Sequence, residues 1–343
     1  MSKTIYYFGA GASYGSRDKD TKSIIEGIPV VAEIPKEFDA FRNYIANAVI
    51  PSGKINFWDM YLTTQSSVEQ ARQYMLGEID RLLQGIKEHA TIDTYARKLY
   101  LTKRILDFEQ LKTLLCAFFV WEQLEHKPDG RYDTFLANVL DEQTLDLPEP
   151  ISIISWNYDS QIEMAFEAYR LSPGLPIYEK NIQGKWPQYQ NKGLVFKVNG
   201  SATFADAQMV SAIKNDNNTS KEVQLIQVYS NTTADTTSLG FQFKTHLSFA
   251  WEESTNKANM NDSIKEATKD TEQVVVIGYS FPFFNRVTDR QIFHGMDNLK
   301  KVYIQDINPT AVSQSIQAVL PTDRTVDVVP ISNCSQFYLP NEL

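Results

Sequence analysis

Histidine, cysteine, positive charge and long apolar runs are all scarce in this chain. There are 4 histidines (His89, His126, His246 and His294) and 2 cysteines (Cys116 and Cys334) in 343 residues. Two thiolates cannot build a four-cysteine zinc site, and Cys116 lies in a run that reads as core helix. No metal is expected, and a reducing compartment is the natural setting. Lys and Arg number 33 against 42 Asp and Glu, a formal net charge of −9. Neutralising phosphates needs clustered cations, so direct nucleic-acid binding by the chain as a whole is not expected. The longest apolar run, Leu114–Trp121, is too short to cross a bilayer, and the chain enters a strand at once without a signal-like segment. These features predict a cytoplasmic protein with no membrane partner. Hydrophobic residues at 43% and charged residues at 22% fit an ordinary globular chain, long enough for two or three modules.

What the chain does have is a β-prone start, Thr4-Ile5-Tyr6-Tyr7-Phe8, running into Gly9-Ala10-Gly11-Ala12-Ser13. A buried strand followed by a G-x-G turn lets the backbone approach a phosphate, and a helix after it would aim free N–H groups at the same anion. The full dinucleotide fingerprint needs a third glycine two residues on and an acidic residue about twenty positions later. Ala12 and Ser13 stand where that continuation begins, Gly15 falls one place late, and no clear strand ending in Asp or Glu follows.

Tyr14 to Lys22 is polar and aperiodic and reads as a loop. Gly27-Ile28-Pro29 and Ile34-Pro35 read as an extended segment, because proline biases the residue before it away from helix. From Phe38 to about His126 the spacing is helical, and the stripe Phe118-Phe119-Trp121 reads as helix core. Ile151–Ser155 is a short strand that delivers Trp156-Asn157-Tyr158-Asp159, followed by a helix over 160–169. Leu194–Val198 is another strand, turning at Asn199-Gly200-Ser201. The polar segment of about 202–270 reads as an insertion with one or two strands and a helix that includes Trp251. Gln273–Ile277 into Gly278-Tyr279-Ser280 and Lys301–Gln305 into Asp306-Ile307-Asn308-Pro309 are further strands; near-continuous apolar runs of this kind belong to parallel strands covered on both faces. The fold class expected is α/β, a doubly wound parallel sheet with an inserted helical subdomain. The sheet domain is placed at 1–35 and 150–332, the helical insertion at 36–149 and a tail at 333–343.

Taken in order, Gly9–Ser13, Gly27-Ile28-Pro29, Trp156–Asp159, Asn199–Ser201, Gly278–Ser280 and Asp306–Pro309 resemble the motifs of the sirtuin-like superfamily. Within it the chain is most similar to bacterial sirtuin-like effectors of antiviral defence, which hydrolyse NAD. Sirtuin deacylases usually carry a four-cysteine zinc module that this chain cannot build. The resemblance implies that Gly9, Ala10, Gly11 and Ser13 hold the pyrophosphate of NAD, that Asn157 and Asp159 surround the nicotinamide and its ribose, and that Gly200, Gly278, Ser280 and Asn308 complete the nucleotide contacts. It also implies restraint of a toxic activity, by a homo-oligomer or by a defence partner protein. Cleaving the N-glycosidic bond makes an oxocarbenium-like centre, which fixed carboxamide and carboxylate dipoles stabilise.

One position departs from the family. Where its members carry His-Gly, with histidine as general base, this chain has Asn199-Gly200. An amide cannot take up a proton near neutral pH, and losing general-base help costs about 10²–10⁴ in rate. Two functions follow: an NAD glycohydrolase using Asn157, Asp159, Asn199 and a positioned water, or a degenerate module that binds NAD or a related nucleotide as a sensor or assembly subunit. Plain structural roles stand beside these. Asn157 and Asp159 suit the start of the next helix, Asp306 and Asn308 suit a turn before Pro309, and Phe281–Arg286 suits either a packed loop or a lid with Arg286 facing a phosphate.

Overall fold

The computed structural model describes residues 3–52, 64–89, 91–169, 177–179, 193–202, 209–233, 245–249, 251–252, 255–341 and 343. The chain divides into two compact units, one of Met1–Gly27, Pro128–Gly200 and Ser248–Leu343, the other of Ile28–Lys127 and Ser201–Leu247. Residues 128–149 therefore group with the sheet and 201–247 with the helices, so the unit boundaries differ from those expected at 36–149 and 202–270.

In chain order the strands are β1 (Thr4–Phe8), β2 (Ser16–Arg17), β3 (Ile24–Glu26), β4 (Ile151–Ser155), β5 (Ile177–Glu179), β6 (Val195–Lys197), β7 (Gln273–Ile277), β8 (Lys301–Gln305) and β9 (Asp327–Ile331). Seven of them form one sheet in the order β5-β6-β4-β1-β7-β8-β9, and every pairing in it is parallel. The helices are α1 (Ile34–Ala46), α2 (Gln65–Lys87), α3 (Ile92–Leu101), α4 (Ile105–Glu125), α5 (Gly130–Val139), α6 (Gln161–Glu167), α7 (Met209–Asn215), α8 (Lys221–Thr233), α9 (Thr255–Thr268), α10 (Arg286–His294) and α11 (Pro309–Ile316).

Side chains alternate across a strand, and in the sheet unit both faces are covered. Ile5, Tyr7, Val274, Val276, Val302 and Ile304 pack with Ile264, Phe293 and Ile316 of α9, α10 and α11. Tyr6, Phe8, Ile153, Val275 and Tyr303 pack on the other face with Phe135 of α5, Phe166 of α6 and Phe337. This is the doubly wound α/β fold that the apolar runs predict. β1 is central, pairing with β4 on one side and β7 on the other. The chain winds outward from β1 to β4 and then returns to β7, so the order reverses between β1 and β7. Open α/β sheets bind ligands beside the carboxyl ends of their strands at such a point.

In the helical unit, α4 is buried from Leu111 to Leu124, and its Phe118 stacks on Phe38 of α1 at 4.0 Å. The aromatic stripe is helix core.

Several local expectations are corrected. Residues 14–22 hold strand β2, paired antiparallel with β3. Ile34-Pro35 starts α1, because proline in a first turn forfeits only an N–H that is orphaned there anyway. Trp251 lies in a turn and stacks on Phe249, and the described part of 202–270 carries α7, α8 and α9. β5 and β9 add strands beyond those expected. Pro330 sits within β9, which is tolerated because β9 is an edge strand.

Candidate functional site

The first turn after β1 is a short 3-10 helix, Ala10–Ser13, and it leads through Tyr14 and Gly15 to β2. The α-helix that a phosphate cradle would want does not follow. The glycines here serve a close approach of two backbones. A Cβ at Gly9 would meet the Gly278 carbonyl oxygen at 2.6 Å, and one at Gly11 would meet Gly278 Cα at 2.7 Å. Gly278 has φ +59, where only glycine is unstrained. The Gly9 N–H donates to the Ile277 carbonyl at 3.0 Å and the Gly11 N–H to the Gly278 carbonyl at 2.9 Å. The turns after β1 and β7 are thereby locked together at the switch point.

Around that lock the ends of β4 and β6 contribute side chains. Asn157 Nδ2 donates to Ser13 Oγ at 3.0 Å, and Ser13 Oγ shares a 2.9 Å hydrogen bond with the Tyr132 hydroxyl of α5. Asp159 is 2% exposed; its Oδ1 accepts the Gln161 N–H at 2.9 Å, which starts α6. Its Oδ2 is buried and has no hydrogen-bond partner among the described residues. Burial pushes the Asp159 carboxyl above its ordinary pKa, with the Lys197 charge, the Gln161 N–H and the Ser13 hydroxyl pulling it back. Asn199 Nδ2 donates to the Trp156 carbonyl at 2.9 Å, while its buried Oδ1 has no partner among the described residues. Gly200 turns the chain at φ +66. Two acceptors at neighbouring strand ends are thus buried without a hydrogen-bond partner among the described residues.

Ser13, Asn157, Asp159 and Asn199 are brought together with Gly9, Gly11 and Gly278. Ala10 and Ser280 are exposed. Asn308 is exposed after β8 and caps α11, its Oδ1 accepting the Ala311 N–H at 3.3 Å. The hydrogen bonds of Asn308 are those of a helix start, as is that of Asp159 Oδ1. His89 and His126 lie in the helical unit, His89 against the Gly85 carbonyl at 2.6 Å and His126 beside Glu122 at 3.5 Å. His294 ends α10 on the surface.

Sequence reasoning missed three groups. Arg131 clamps the glycine turn: its Nη2 donates to the Gly11 carbonyl at 2.8 Å, its Nε to Asp129 Oδ1 at 3.0 Å, and Asp129 Oδ2 accepts the Gly15 N–H at 2.7 Å. Lys197 is 1% exposed and pairs with Glu163 of α6 at 3.2 Å. Asp289 of α10, fully buried, accepts the hydroxyls of Tyr7 at 2.5 Å and Tyr279 at 3.0 Å. A lysine inside the apolar run Leu194–Val198 was the one visible signal, since a charge there is buried only with a partner. Beyond this network the rim carries exposed apolar side chains, Phe283 at 76% and Ile307 at 91%.

Among the described residues no three His, Cys, Asp or Glu side chains group as a metal site, and no helix is long and apolar enough to cross a membrane. No family model matches the chain, and no curated protein does.

Proposed function

We propose that the sheet unit is a sirtuin-like module that binds NAD at the switch between β1 and β7 and hydrolyses the bond between nicotinamide and ribose. The observation that carries this reading is the Ser13–Asn157 hydrogen bond with Asp159 beside it, flanked by Asp159 Oδ2 and Asn199 Oδ1, buried acceptors without a partner among the described residues. Buried acceptors without partners cost stability, and a ligand rich in hydroxyl donors relieves that cost. Hydrolysis of NAD adds water to the anomeric carbon, the carbon–nitrogen electron pair leaves with the pyridinium ring as neutral nicotinamide, and the water gives up one proton. In this reading Asn157 orients the ring end of the ligand, the Asp159 carboxylate stabilises developing positive charge, and Asn199 Oδ1 orients the water or a ribose hydroxyl. The activity belongs with antiviral defence, under restraint by self-association or by a partner protein, in the cytoplasm.

A second reading is binding without turnover, in a sensor or assembly subunit. Asn199 favours it: the amide nitrogen is committed to the Trp156 carbonyl, and the side chain has no proton-accepting state near neutral pH. Calorimetric titration of NAD into the full chain, with nicotinamide followed in the same mixture, separates the two. Binding with release that Asn157→Ala abolishes supports the hydrolase. Binding without release, unchanged by Asn199→His, supports the second reading, and absence of binding refutes both.

A further inference from the structure

Lys197 closes β6 in register with Ser155 of β4. At 1% exposure an ammonium persists only with partners, and two of its partners come from the segment after β4. Nζ donates to the main-chain carbonyl of Asp159 and pairs with Glu163 Oε1 at 3.2 Å. One ammonium therefore ties the turn that carries Asn157, through a main-chain carbonyl, to a buried carboxyl group on the first turn of α6. Burial raises the pKa of Asp159 and of Glu163, and in each the Lys197 charge is the largest opposing influence. The groups facing Asp159 are Lys197 from β6, Glu163 from α6, the Ser13 hydroxyl from the turn after β1 and the Tyr132 phenol from α5. Lys197 is the cation among them.

We propose that Lys197 is the positioning residue of the site: through the Asp159 carbonyl and Glu163 it fixes the turn that presents Asn157 and Asp159, and its charge faces the Asp159 side chain. This rests on the reading in which Asn157 and Asp159 face the ligand. Without the ammonium, two buried carboxylates are left as neighbours, and one of them takes up a proton.

The test is a carboxyl ¹³C NMR titration of the full chain, with the Asp159 signal identified by its loss in Asp159→Asn, beside calorimetry with NAD across the same pH range. Lys197→Met raises the Asp159 midpoint, so affinity for NAD falls about tenfold per unit of that rise on the acid side and recovers as pH rises. Lys197→Arg returns both readouts toward wild type. Glu163→Gln leaves Lys197 to a single carboxylate and lowers the Asp159 midpoint, which keeps the test decisive if Lys197→Met does not fold. An Asp159 midpoint unmoved in these variants, or a loss of affinity equal at every pH, overturns the proposal. If the midpoint moves as stated while wild type takes up no NAD, the Lys197 assignment stands and the NAD reading falls.

Discussion

Replacing Asp289 by Asn makes the sheet unit's stability less sensitive to pH, and the size of the effect follows from the surroundings of the carboxyl. Asp289 is buried under the turn after β7, and burial raises its pKa from 3.8 to about 7 even though Tyr7, Tyr279, Trp156 and the Arg286 charge all favour the ionised form. Burial wins because these donors replace only part of the hydration a carboxylate has in water. A raised folded-state pKa means that the contribution is fully present below the unfolded value and is lost as pH rises through the folded one. The wild type therefore loses stability between about pH 4 and 7, by up to about 4 kcal/mol, from a shift of about three units at about 1.4 kcal/mol each. Asn keeps the shape and one acceptor for the phenols but has no charge to bury. Urea unfolding at a series of pH values, followed by tryptophan fluorescence, reads the difference; Trp156 stacks on Tyr279 at 5.6 Å and reports the neighbourhood directly. The stability of Asp289→Asn relative to wild type should climb steadily with pH across that window. A flat difference, or one that climbs in favour of wild type, refutes the argument that burial outweighs the phenol bonds.

Gly278→Ala places a Cβ at 2.3 Å from Gly11 Cα in a left-handed backbone, so it should cost about 2–4 kcal/mol in thermal unfolding, whereas Gly77→Ala, with open space around it, should not destabilise. Arg131→Met leaves Asp129 buried without its partner and should cost about 3–5 kcal/mol, with Arg131→Lys recovering only part because one ammonium cannot span Asp129 and the Gly11 carbonyl; denaturation midpoints check both. If NAD is turned over, Asn199→His should raise nicotinamide release by about 10²–10⁴-fold, measured by chromatography of the product. Asn157→Ala should remove release altogether while leaving the melting temperature within a few degrees, since its side-chain bond to Ser13 is a single neutral one.

The strands that line the switch point were legible because β1, β4 and β7 are buried throughout and β8 beyond its first residue, so they read as near-continuous apolar runs. β9 was not: it is an edge strand with no buried residue and a proline near its end. Ser13, Asn157, Asp159 and Asn199 were singled out by the resemblance and by their places after strands, and the structure has them after β1, β4 and β6. Arg131 was hidden for a physical reason. Beside the adjacent Asp129, it binds backbone carbonyls of the first turn some 120 positions earlier, and carbonyls leave no mark on a sequence. The glycines of the first turn were read as room for a phosphate, yet the room at Gly9 and Gly11 is taken by the turn after β7. A G-x-G pattern reports only that something comes close, and both a ligand and another stretch of chain satisfy it.

The central place of β1 has a consequence for synthesis. Its two neighbours, β4 and β7, begin at residues 151 and 273, so β1 leaves the ribosome long before either exists. At roughly 5–20 residues per second, β7 follows β1 by about 15–55 s. During that interval Ile5-Tyr6-Tyr7-Phe8, destined for complete burial, is an apolar strand with both edges unpaired. The nascent chain is thus most vulnerable at the segment its mature sheet hides best, and factors that hold extended apolar segments on the ribosome should decide its yield.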